Sequence, residues 1–205
     1  MDVIQEIQKE VSLYFGQSKF VLKQSSFNTF KVEGNSSAIN HIRKDKELIN
    51  VLHWFDSYWV YFEIKFVDKV EGKKKLYPQI FLTTSIFEGD AADSKKIQLF
   101  RAEWDNYEDN TEHPQPHWHI YPFNSFEEYG TFKELVNESE RSEGFTGFVE
   151  QPQKIVDLSK FHFAMNGQWY GDNGHITFID NDPSLLKWIS GVFGHIQSQL
   201  RYCNS

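Results

Sequence analysis

The chain has 205 residues, a formal net charge of −8 and a pI near 5.5, and it is 40% hydrophobic and 17% aromatic. Such an acidic chain lacks the clustered Lys and Arg from which phosphate-backbone binding draws its affinity, so general nucleic-acid binding is disfavoured. The length suits one well-buried domain over residues 1–205, and no apolar run approaches the ~18 residues of a membrane span.

From Val3 to Phe15 the apolar residues Val3, Ile4, Ile7, Val11, Tyr14 and Phe15 recur at three- and four-residue spacings, with Asp2 placed to cap and Gly16 to stop. That pattern predicts an amphipathic helix rather than a signal segment. KFVLKQ and FNTFKVEG read as short strands, and the polar piece from Gly34 to Ser37 introduces a second helical candidate running through Leu52. The strongest strand signal is YWVYFEIKFV, where Tyr58, Val60, Phe62, Ile64 and Phe66 alternate with Trp59, Tyr61, Glu63, Lys65 and Val67. A turn around Glu71-Gly72 leads into LYPQIFLTTSIF, so a hairpin is expected; Lys73 to Lys75 reads as its solvated turn.

In IQLFRAEWDN, Phe100, Ala102 and Trp104 fall on one side of a strand and Arg101, Glu103 and Asp105 on the other. After a loop, PHWHIYP reads as the next antiparallel strand. Ser125 to Val136 is predicted to be a central helix capped by Ser125, and NESERSEGFTGFVEQPQ carries the least pattern. KFHFAMNGQWYGDNGHITFID suggests two short strands. A terminal helix follows, with Asp182 capping, Pro183 in the first turn, and Leu185, Trp188, Ile189, Val192, Phe193, Ile196 and Leu200 on one face. The expected fold is therefore α+β: an antiparallel sheet of about six to eight strands with N-terminal, central and C-terminal helices packed on it. Cys203 is the single cysteine, so an internal disulfide is excluded and a reducing, cytoplasmic setting is expected.

The segment HPQPHWH concentrates three histidines, His113, His117 and His119. Side chains at i and i+2 of a strand share a face, so His117, His119 and Tyr121 project away from Trp118 and Ile120. If this strand pairs with the one before it, two imidazoles share a surface with Arg101, Glu103 and Asp105. Two chemistries use that surface. A divalent metal such as zinc or manganese can be held by His117, His119 and Asp105, with His113 as a further nitrogen if the Pro-Gln-Pro turn folds back. Alternatively, one histidine acts as general base and the other as general acid, with Arg101 steadying a developing negative charge, as phosphodiester transfer requires. The bland reading is a solvated strand face stiffened by prolines.

A cupin arrangement fails in detail. Its Glu would fall near Phe123 or Asn124, the leading glycine is missing, and no Pro-x-Gly motif precedes His175. Nucleophile elbows, phosphate loops and dinucleotide fingerprints are also missing. His162 reads as a core histidine or remote ligand, and His175, His195 and His53 as packing or surface positions.

Arg101, Trp104-Asp105-Asn106, His113-Pro114 and Pro116-His117-x-His119 together resemble a segment of the TumE-like toxins of bacterial toxin–antitoxin modules. The likeness covers roughly residues 99–120; Arg101 stands two residues further from the Trp than in those proteins, and the histidine spacing differs. It implies a small bacterial α+β protein encoded beside a partner, with the Asp-Asn and His positions as the working surface. The leading expectation is a hydrolase-like bacterial protein directed at a phosphodiester, using His117 and His119 with Asp105 or Glu103. The competing expectation is a non-catalytic protein whose His and aromatic face docks a protein partner or small ligand.

Overall fold

The structure is a computed structural model that describes residues 2–42, 45–93, 96–105, 116–121 and 179–204. In chain order the elements are α1 (Val3–Ser12), β1 (Leu22–Ser26), β2 (Thr29–Val32), β3 (Ser36–Ile42), β4 (Asp45–Phe55) and β5 (Tyr58–Val67). These are followed by β6 (Val70–Glu71), β7 (Lys74–Lys75), β8 (Gln79–Glu88), β9 (Ile97–Asp105), β10 (His117–Ile120) and α2 (Asp182–Cys203). An eight-stranded sheet runs β1-β2-β5-β8-β9-β10, with the β3–β4 hairpin attached to β5, and all its pairings are antiparallel. The fold is α+β, as the alternating patterns predicted. The expected central helix and the strands expected around His162 and His175 lie outside the described residues. No helix among the described residues is long and apolar enough to cross a membrane.

Alternation in β5 builds two cores, one on each face. Tyr58, Val60, Phe62 and Ile64 point to the face covered by α1 and α2, where Ile7, Val11, Leu185, Ile189, Phe193 and Ile196 are buried against them. Phe193 reaches the centre of an aromatic group formed by Phe15, Phe20, Trp54 and Phe62. The helices are tied there by polar contacts as well: the Tyr14 carbonyl accepts from Trp54 Nε1 at 2.8 Å and from Gln197 Nε2 at 2.9 Å. Asp2 caps α1 as expected, but the helix ends at Ser12, short of Gly16. The cap of α2 is Asn181, whose side chain accepts from the Ser184 amide at 2.9 Å, and Asp182 is the first helical residue.

The segment from Gly34 to Leu52 is the clear departure from expectation. It forms the β3–β4 hairpin, not a helix. Its apolar residues satisfy two faces of a strand at once: Leu52 and Trp54 join the helix-side core, while Ile49 and Val51 join Ala38, Trp59, Tyr61 and Phe87 in a second core. A helix would place only one stripe against the protein; a twisted strand shared between two layers buries both. Both β2 and β4 pair with the same edge of β5, β2 at residues 63–65 and β4 at residues 58–60. The chain passes between them at Gly34, where an added Cβ would lie 2.5 Å from the Val51 amide nitrogen.

The hairpin thus covers part of the sheet face opposite the helices, and a polar seam joins β3 to β8 and β9. Asn40 Oδ1 accepts from Ser85 Oγ at 3.1 Å and from Gln98 Nε2 at 2.8 Å, and Gln98 Oε1 accepts from the His41 amide at 2.6 Å. Lys96, buried beside this seam, donates to Ser36 Oγ at 2.7 Å and sits 4.4 Å above the Trp59 ring. The seam runs along β3 to the histidine strand.

Candidate metal centre

Register decides which of the polar side chains meet. β10 pairs with β9 so that His117 lies opposite Glu103 and His119 opposite Arg101. All four side chains are on the face away from α1 and α2, because Phe100, Trp104 and Trp118 pack toward the helix-side core. The expected strand pairing and shared face are therefore present. The two imidazoles lean together rather than standing parallel, with ring centroids 4.7 Å apart and planes at 79°.

Three lone-pair atoms converge. His117 Nε2 and His119 Nε2 are 2.9 Å apart, and Glu103 Oε2 lies 3.3 Å from the first and 2.9 Å from the second. Among the described residues, Glu103, His117 and His119 form the group whose ligand atoms all lie within 4.8 Å of one another. Asp105 shares their parity but is not in the group, and its place across β8 is opposite Phe81, two pairs beyond Glu103. His113 and Asn106 lie outside the described residues. Trp104, which carries part of the family resemblance, is a core side chain.

Arg101 sits directly behind the carboxylate. Its Nε lies 2.8 Å from Glu103 Oε1, Nη2 donates to Oε2 at 3.2 Å, and Nη1 donates to the His41 carbonyl at 2.6 Å. Its side chain is only 3% exposed, against 22% for Glu103, 17% for His117 and 40% for His119. Tyr121 donates its hydroxyl to the same His41 carbonyl at 2.7 Å. His41 is not a candidate in the sequence, where its segment carries a helical pattern; in the structure it lies on β3, and its carbonyl accepts from Arg101 and Tyr121.

The electrostatics follow from these contacts. Burial would push the Glu103 carboxyl up, but the His117 hydrogen bond and the Arg101, His119 and His117 charges outweigh it and hold the group at about 2. Glu103 is therefore ionised throughout the physiological range. His119 is lowered, first by burial and then by the Arg101 charge, which favours its neutral imidazole, the form that ligates a metal. The other described histidines have ordinary places: His53 Nε2 contacts the Asp56 carbonyl at 2.9 Å and packs on Trp59, and His195 lies half-buried on α2.

No protein-family model matches the chain, and no curated protein or solved structure is significantly similar to it.

Proposed function

We propose that the chain is a metal-dependent hydrolase whose divalent ion is held by His117 Nε2, His119 Nε2 and Glu103 Oε2. The observation that carries this reading is the closed triangle of 2.9, 2.9 and 3.3 Å between those atoms. Hydrogen bonds alone leave such a triangle frustrated. If both Nε2 atoms carry protons, the two donors face each other across 2.9 Å. If only one does, the other nitrogen turns its lone pair on the carboxylate oxygen. A single cation meets all three lone pairs together. The separations also suit one: ligands about 2.0–2.2 Å from an ion are about 2.8–3.1 Å apart at octahedral angles and about 3.3–3.6 Å apart at tetrahedral ones, which brackets the observed triangle.

Two imidazoles and one carboxylate leave coordination positions for water and substrate, the arrangement of a catalytic rather than a closed structural site. An ion held by His117, His119 and Glu103 would supply an activated water for hydrolysis. A phosphodiester suits this chemistry because its nonbridging oxygens gain from the cation, which offsets the acidic charge of the chain locally.

The test is metal-dependent hydrolysis of bis(p-nitrophenyl) phosphate by protein loaded with zinc or manganese, beside the chelated protein and a His119→Ala variant. The proposal requires nitrophenol release that depends on the ion and disappears in the variant. Stoichiometric metal without turnover of this or other simple esters would instead favour the non-catalytic reading, in which the ion and its surroundings dock a ligand or protein partner.

A further inference from the structure

We propose that Arg101 is the positioning residue of this centre: its guanidinium lies against both oxygens of Glu103, so the carboxylate cannot chelate the ion and meets it through Oε2 alone. The inference rests on the metal reading above. Carboxylates bind metals through one oxygen or two, and a Glu with both oxygens accessible is able to switch between these modes. Here Arg101 Nε lies 2.8 Å from Oε1 and Nη2 donates to Oε2 at 3.2 Å, so the guanidinium covers the edge between the two oxygens that a chelated ion would need, while Oε2 is also the oxygen aimed at the two imidazoles.

The guanidinium is itself fixed. Nη1 donates to the His41 carbonyl at 2.6 Å, Tyr121 donates to the same carbonyl at 2.7 Å, and the Tyr121 ring lies 5.9 Å from Arg101 Cζ. A cation that is 3% exposed cannot withdraw from its carboxylate without leaving its own buried charge uncompensated. The guanidinium therefore holds the carboxylate in place as well as neutralising it. One carboxylate atom on the ion, in place of two, leaves an additional coordination position for water or substrate. The β3–β4 hairpin enters the chemistry by this route: the His41 carbonyl anchors Arg101, Arg101 orients Glu103, and Glu103 meets the ion.

Cobalt(II) is the probe, titrated into wild type, Arg101→Lys and Arg101→Gln, with visible spectra and near-ultraviolet circular dichroism recorded for each. Lys keeps the charge and loses the fork. Arg101→Lys is expected to bind cobalt about 10–100-fold more weakly than wild type and to give weaker d–d bands, as the freed carboxylate becomes bidentate and the coordination number rises. A lysine variant with wild-type affinity and spectrum would overturn the proposal, because charge alone would then suffice. If neither variant folds, a crystal structure of zinc-loaded wild type decides: Oε2 alone on zinc with Arg101 on Oε1 supports it, and two carboxylate oxygens on zinc refute it. Wild type that takes up neither cobalt nor zinc would refute the metal reading itself, and this inference with it.

Discussion

At the scale of single residues, Glu103 carries two duties that pull in different directions. It must balance the buried Arg101 guanidinium, and it must offer Oε2 to whatever the two imidazoles face. Replacing Glu103 with Ala removes both functions and strands the Arg101 charge, which is expected to destabilise the fold by about 3 kcal/mol in urea unfolding. The double variant Glu103→Leu with Arg101→Met removes the stranded charge and should recover most of that stability while leaving the metal site dead. Recovery of metal binding along with stability would show that Glu103 is no ligand. Alternation in the sequence placed Arg101, Glu103, Asp105, His117 and His119 on one face, and that much was legible because strand parity has period two. The choice between Glu103 and Asp105 was not. They share parity and stand two residues apart, and pairing between β9 and β10 is set across a connection that carries no periodic pattern.

Among the elements, the β3–β4 hairpin contributes most that the sequence obscured. Leu48, Val51, Leu52 and Phe55 stand at helical spacings, yet Leu48 is exposed while Val51 and Leu52 are buried on opposite faces of a strand. One-dimensional periodicity assumes a single buried face, and this strand has two. The close approach at Gly34 gives a direct check. An alanine there would drive its Cβ into the backbone of Val51, so Gly34→Ala is expected to cost about 1–3 kcal/mol by denaturant unfolding and to loosen the hairpin that anchors Arg101. Unchanged stability would mean that the crossing is not as tight as described. The terminal helix supplies a contrasting case. Asn181→Ala removes the cap on the Ser184 amide and should cost about 1 kcal/mol, with no change in metal affinity because α2 packs on the opposite face of the sheet. The sequence located this helix almost to the residue, since a proline in the first turn and a single apolar stripe leave few alternatives; only the capping residue moved, from Asp182 to Asn181.

For the molecule as a whole, the two-core sheet buries phenols that must remain protonated. Burial, reinforced by the Glu88 charge, pushes Tyr58 up to about 12; burial also raises Tyr61 and Tyr77, which hydrogen-bond to Glu63 and Asp182. In the unfolded chain these phenols ionise near 10. Their contribution to stability is therefore complete below about pH 10 and declines as pH rises, for Tyr58 across about pH 10 to 12. The midpoint of thermal unfolding should fall steeply over that interval, and Tyr58→Phe should flatten the fall. A midpoint that stays level to about pH 12 would contradict the burial of these rings. The α+β architecture was legible because each long strand and both terminal helices carry their own pattern. The wrapping of the hairpin onto the second face was not, because it depends on a polar seam of Asn40, Ser85, Gln98 and Arg101 drawn from three distant strands.

The central claim is that His117, His119 and Glu103 together hold a divalent ion. Its most direct test is the metal content of untagged protein, purified without chelator and then dialysed against zinc, beside His117→Ala and His119→Ala variants treated identically. Close to one ion per wild-type chain is expected, with loss of that ion in both variants and the fold retained. A folded wild type that remains metal-free after exposure to zinc would contradict it.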